Sequence, residues 1–363
     1  MQKPVKRSTI SVIILICIAL GIRLYASRSG IVESSYTSGI YPYISAFLRI
    51  VFGRLPFSAG DVLYSFLFLF TLWKTTQWVK RRRKEKRSWI PSKTNLLKIL
   101  RFSLLLYIVF NLMWGLNYNR KGIHYQMNFE PEQYSQAELV HINNLLLEKV
   151  NQCKAALIQQ NIGYPSTKEL FAKTNSAFTQ AAKKYPFLQY THPSVKSSLF
   201  NFTGNYFGFS GYYNPFTGEA QVNTDVPPFL QPYINCHEIA HQLGYAKENE
   251  ASFAGYIVAT ASGDSLFMYS AYFDLFLYAN RNLYSADSVA AKDFLALLHP
   301  AVKEDIATLK AYYKKYENPA EPLFTWVYGK YLEANNQPLG MTTYSEVVAD
   351  VIAYYKKYGE IGG

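Results

Sequence analysis

Three apolar stretches in the first 119 residues constrain this chain more than any other feature. Residues 8–22, STISVIILICIALGI, carry no charge and are almost wholly aliphatic. Residues 62–73 read VLYSFLFLFTLW, and residues 102–119 are uncharged throughout, FSLLLYIVFNLMWGLNYN. A helix crossing a bilayer needs about 20 predominantly apolar residues, because lipid offers no partners to the backbone. With their flanks, the three runs predict transmembrane helices at about 8–26, 58–79 and 98–118. Arg23 falls inside the first, where its long stem can snorkel. Trp73, Trp78, Trp114 and Tyr118 fall near span ends, where amphipathic rings prefer to sit. The first run also has the shape of a signal peptide. The poor small-residue pattern after it and the two spans that follow favour a retained anchor.

Charge sorts the topology. The net charge of +12 looks at first like a nucleic-acid signature. Residues 74–101, however, hold 11 of the Lys and Arg with Glu85 as their one acid, and residues 102–363 sum to −3. The basicity is therefore one block, a cytoplasmic loop at 80–101 by the positive-inside rule, and no nucleic-acid partner is expected. The N-terminus is then cytoplasmic, and everything after about residue 119 lies outside. That describes a multi-pass protein of a bacterial inner membrane with its C-terminal domain in the periplasm. Residues 40–53 are apolar and aromatic but short, which suits an interfacial or re-entrant segment. Three cysteines exclude a disulfide framework.

Residues 120–363 suffice for one large domain. Apolar residues at i, i+3 and i+4 spacing predict helices over 131–160 and 166–184. Residues 200–223 are rich in glycine and aromatics, with 214–218 reading as a turn between two strands. Helical patterns then dominate to the end, at about 229–243, 248–261, 265–282, 288–298, 301–316, 322–334 and 343–358. The domain is mainly α with a small sheet.

The chemistry is concentrated in Cys236-His237-Glu238-Ile239-Ala240-His241-Gln242-Leu243-Gly244, an H-E-x-x-H pattern. On a helix, positions i and i+4 share a face, so both imidazoles can reach one tetrahedral Zn²⁺. Glu238 projects beside them, placed to take a proton from the attacking water and pass it to the leaving amine. A catalytic zinc needs a third protein ligand. Gly244 is a natural helix stop, so a second helix can begin near Glu248 and pack back on the first. Glu248 shares a face with the small residues Ala251, Ser252, Gly255 and Ala259. Glu250 shares one with Phe253, Ala254 and Ile257. Helical phase alone leaves both as candidates. Residues 219–223 are a candidate edge strand for binding extended peptide. Tyr213 is the candidate oxyanion stabiliser, with Tyr212 and the more distant Tyr344 as alternatives. His124, His141, His192 and His299 read as surface or capping residues, and Asp61 as a cap or pairing residue at a span end.

Here the chain resembles the gluzincin metallopeptidases, especially their membrane-anchored members. In these, H-E-x-x-H is followed by a helix with a pattern like E-x-x-A-D. The resemblance implies a zincin-like domain with Glu248 as the third zinc ligand. Ser252 stands where the family carries an acid supporting a ligand histidine, and the step from His241 to Glu248 is shorter than in most such enzymes. The whole chain is also similar to an uncharacterised family of bacterial membrane proteins, a domain of unknown function, through residues 53–58, 114–118 and 237–244. The expectation is a membrane-anchored zinc metalloprotease with Glu238 as general base, acting on peptide or protein substrates outside the cytoplasm. The alternative is a non-catalytic envelope scaffold or peptide-binding module with a structural or degenerate zinc site.

Overall fold

The computed structural model describes residues 3–85 and 92–363. The chain is mostly helical with one small sheet. In order, its helices are α1 (Lys3–Ala26), α2 (Ser29–Ile31), α3 (Tyr41–Phe52), α4 (Ala59–Lys84), α5 (Lys93–Met113), α6 (Gly122–Gln126), α7 (Gln136–Gln159) and α8 (Thr167–Lys184). After α9 (Asn201–Phe207) come α10 (Gln231–Gln242), α11 (Glu248–Ala261), α12 (Ser265–Ala286), α13 (Ser288–Ala296), α14 (Pro300–Tyr316), α15 (Glu321–Ala334) and α16 (Val347–Tyr358). The strands are β1 (Val195–Ser197), β2 (Gly211–Asn214) and β3 (Glu219–Val222).

Two helices, Thr9–Ala26 within α1 and Lys93–Met113, are long and apolar enough to cross a membrane. They pack along each other, while α4 has no comparable packing with either. Helix α4, the second predicted span, exposes Phe66, Phe68, Leu69 and Trp73, but its apolar run is shorter and ends in four basic residues. The predicted basic loop is largely helical. Helix α4 continues through Lys84 and α5 already starts at Lys93, because Lys and Arg are good helix formers. The rest of the basic run, Lys86 and Arg87, lies outside the described residues.

The segment between α1 and α4 is not a simple interfacial connection. Residues Val32–Ile40 form a π-helix leading into α3, and their polar groups dock on residues that follow α5. Glu33 and Arg120 form a buried ion pair at 3.1 Å. Thr37 donates to Asn117 Oδ1 at 3.0 Å, and Lys196 donates to Gly53 O at 2.8 Å. The start of α4 is held in the same way. Ser58 caps it, Glu219 accepts from the N–H groups of Ala59 and Gly60, and Asp61 accepts from Ser198, Leu199 and Tyr212. A carboxylate at a helix N-terminus satisfies its free N–H groups and its dipole together.

Helices α7, α8, α10, α11, α12 and α16 build the main core. Helices α7 and α8 start after capping boxes, Ser135 with Glu138 and Ser166 with Glu169, the first of them five residues later than the expected start at 131. In the sheet, β3 is central: β1 pairs with it in parallel and β2 antiparallel. The expectation that residues 219–223 form a free edge is therefore wrong. Strand β1, too short to show a period in the sequence, covers that edge, and β2 is the exposed neighbour.

His299 caps α14 as expected, its Nδ1 accepting from Ala301 N at 3.2 Å. His124 differs from its surface reading. It is mostly buried on α6 and pairs with Asp350 of α16 at 2.8 Å, while Asn249 of α11 donates to the same carboxylate. Burial works against the imidazolium, but Asp350, helped by Glu250 and opposed by Lys247, raises His124 above its ordinary 6.5. A raised histidine adds stability that is complete below its unfolded pKa and lost as pH climbs through its folded one. His124→Asn is expected to destabilise the full chain by on the order of 3 kcal/mol. Thermal melts on both sides of neutrality check this. The gap between wild type and variant should narrow as pH rises, and a constant gap would show that His124 is uncharged in the folded chain.

Candidate metal centre

Helix α10 opens with Pro232 in its first turn and closes at Gly244, which adopts φ +88°. A Cβ on Gly244 would stand 2.9 Å from the Tyr41 ring and would also carry the left-handed strain. The turn reverses the chain, Lys247 is extended, and α11 starts at Glu248 and runs back along α10. The approach is closest at Gly255, where a Cβ would lie 3.0 Å from His237 N and 3.2 Å from its Cα. Small residues at Ala251, Ser252, Gly255 and Ala259 are what allow it.

This packing gathers His237, His241 and Glu248, whose ligating atoms lie within 4.8 Å of one another. Glu248 Oε2 is 3.2 Å from His237 Nε2 and 3.4 Å from His241 Nε2. It makes no well-aligned hydrogen bond to either and is buried without a partner. The far nitrogens are both engaged. His237 Nδ1 is 3.2 Å from Ser252 Oγ, and His241 Nδ1 is 2.7 Å from Tyr245 O. The second contact makes Nδ1 the protonated nitrogen of a neutral His241 and leaves Nε2 free to ligate. Two nitrogens and one carboxylate oxygen facing a common point are a donor set that fits Zn²⁺. Glu250, the alternate third ligand, is not brought there. It is buried against Gly122 and pairs with Lys247 at 3.1 Å.

Glu238 sits beside the cluster, buried, with Oε2 unpartnered. Its carboxylate packs on Gly211 of β2, where a Cβ would lie 2.5 Å from Oε1. Burial, with Glu248 adding to it and His241 opposing, raises its pKa to about 8. Burial opposes charge on His241 too, but Glu248 outweighs it and lifts that histidine to about 9. Burial lowers His237, whereas Glu248 is held below the usual carboxylate range because His241 and His237 override its burial.

A cavity of about 780 Å³ opens over these residues. Tyr213 lines it, but its hydroxyl is 3.4 Å from that of Tyr41 and its ring lies against Trp114. Tyr212 is committed to Asp61. The hydroxyl that reaches the cluster belongs to Tyr328 of α15, which donates to Glu248 Oε1 at 2.8 Å and lies 3.4 Å from Tyr344. Tyr344 stacks on the His237 ring. Trp114, expected as an interface anchor, is buried instead and donates from Nε1 to His241 O at 3.1 Å. Tyr41 and Ser45 of α3 donate to Gln242 O at 2.8 and 2.9 Å. Trp114 was visible in the sequence as part of a segment shared with the resembled family, whereas nothing distinguished Tyr328 among 31 tyrosines.

Helices flanking an H-E-x-x-H cluster, with apolar N-terminal helices built onto it, define the class of chain at hand. Residues 36–352 match the family described as a protein of unknown function (DUF3810), and the chain belongs to that family. No curated protein and no solved structure matches it.

Gly255→Val should force α11 away from α10. The expected cost is about 2 kcal/mol of overpacking, together with weakened zinc binding, because Glu248 moves with α11. Melting and zinc titration of the full chain test this; unchanged zinc affinity would show that the cluster does not depend on that approach.

Proposed function

We propose that this chain is a membrane-anchored, zinc-dependent metallopeptidase with a zincin-like domain. The observation that carries the reading is the meeting of His237 Nε2, His241 Nε2 and Glu248 Oε2 around one point, with the unpartnered carboxylate of Glu238 beside it. His237, His241 and Glu248 would hold the metal, and Ser252, Tyr245 and Tyr328 fix their orientation. Zn²⁺ in such a site supplies a Lewis acid toward water and a carbonyl oxygen. Glu238 takes a proton from the attacking water and returns it to the leaving amine. Strand β2, in place of β3, offers its free edge to an extended peptide, since Gly211, Tyr212 and Tyr213 line the cavity. Tyr328 and Tyr344 are better placed than Tyr213 to meet charge developing near the metal. The distribution of charge supports a cytoplasmic N-terminus and a site on the opposite side of the membrane.

The test uses the purified full chain in detergent. Wild type and Glu238→Gln should each bind about one zinc per chain, and Glu238→Gln should lose at least about 100-fold in hydrolysis of a peptide library. Glu248→Gln should lose zinc, whereas Glu250→Gln should keep it. Zinc bound without cleavage would favour a scaffold or peptide-binding module, and absence of zinc from the wild type would overturn the reading.

A further inference from the structure

Helix α15 has two different faces. Its inner face walls the cavity with Phe324, Tyr328 and Tyr331. Its outer face presents Leu323, Trp326 and Val327 to solvent at 61, 62 and 51% exposure. At 100° per residue these three lie within one third of the helix circumference. An aqueous surface on a folded domain rarely carries Trp, Leu and Val together on one helix face.

The position of α15 identifies what covers them. Its C-terminal half docks on the residues that directly follow α5. Tyr331 and Tyr118 hydroxyls are 3.1 Å apart, and Asn336, just past the helix, donates to Asn119 at 2.6 Å. That end of α5 exposes Val109 and Leu112. The N-terminal half docks on α9 through Phe324 and Phe207, whose ring centroids are 3.9 Å apart, and α9 exposes Phe202. Helix α15 thus sits between the residues that follow α5 and the exposed apolar residue of α9. The polar residues of the outward face, Lys330 and Glu333, pair with each other at 2.7 Å in its C-terminal half. Trp at the boundary with Leu and Val beside it is the composition of a helix lying in a bilayer interface.

We infer that the outward face of α15 is seated in the lipid bilayer, so that one wall of the metal cavity is a membrane-contact helix. This rests on the membrane-anchored reading and not on the peptidase reading. The partner is lipid, bound through apolar area and an interfacial indole.

The experiment places a nitroxide on single cysteines in the full chain carrying Cys17→Ser, with the buried Cys153 and Cys236 retained. Leu323→Cys and Val327→Cys keep Trp326, Lys330→Cys reports the polar end, and Leu112→Cys reports α5. Each is reconstituted in vesicles of phosphatidylethanolamine and phosphatidylglycerol, and its accessibility to oxygen and to a water-soluble nickel chelate is measured. Labels at 323 and 327 are expected to favour oxygen several-fold more than the label at 330. Preference for the chelate at 323 and 327, with 112 lipid-exposed, would overturn the inference alone. Protection from both reagents would mean that protein, such as a second copy, covers the face, and would overturn it as well. A label at 112 that favours the chelate would overturn the membrane reading on which it stands. Glu238→Gln in the same chain should leave every accessibility unchanged, which separates this result from the fate of the peptidase reading.

Discussion

The close approach of α10 and α11 at Gly255 is the constraint from which the rest of the site follows. It brings a carboxylate oxygen to 3.2 and 3.4 Å from two imidazole nitrogens at the floor of a cavity. Charged groups in such a place are costly unless each is held by partners. The surrounding structure provides them one by one: Ser252 on His237, the Tyr245 carbonyl on His241, Tyr328 on the second oxygen of Glu248. Each comes from a different stretch of chain, so the cluster is rigid only when several elements are in place together. Glu238, like Glu248 at Oε2, has one oxygen left without a hydrogen-bond donor. A buried acceptor without a donor is a feature that folding alone would not favour.

What the residues disclosed in advance was local. H-E-x-x-H defines a face because its two histidines are one helical turn apart, and the small residues from Ala251 to Ala259 mark the contact face of the next helix. Apolar spacing marked α7 and α8 as helices, although α7 starts at Gln136, five residues after the expected 131. Non-local facts were not legible. Whether β3 is an edge or a centre depends on three residues, Val195–Ser197, with no periodicity to reveal them. The partner of the Trp114 indole is a carbonyl 127 positions away. Phase arguments left Glu248 and Glu250 equal, and the difference between them came from where the Gly244 turn directs α11.

The residues between α1 and α4 illustrate the same limit from the other side. Read along the chain, they are a modest polar stretch followed by a short apolar one. In the fold they form a buttress: Glu33 neutralises Arg120, whose guanidinium lies over the Tyr245 ring, and Tyr245 in turn holds His241. A run of ordinary contacts thus links a segment beside the first apolar helix to a histidine of the cluster.

The last carbonyls of any helix need donors from elsewhere. For α10, the N–H groups of Leu243, Gly244 and Tyr245 serve Ile239, Ala240 and His241, and residues more than a hundred positions earlier add to them: the Trp114 indole also serves His241, and the Tyr41 and Ser45 hydroxyls serve Gln242. Side-chain hydrogen bonds therefore tie residues 41–45 and 114 to the end of α10. A fragment beginning after residue 119 would lack those remote donors, and Gln242 O, at the end of the helix that carries both histidines, would lose both of its hydroxyl partners.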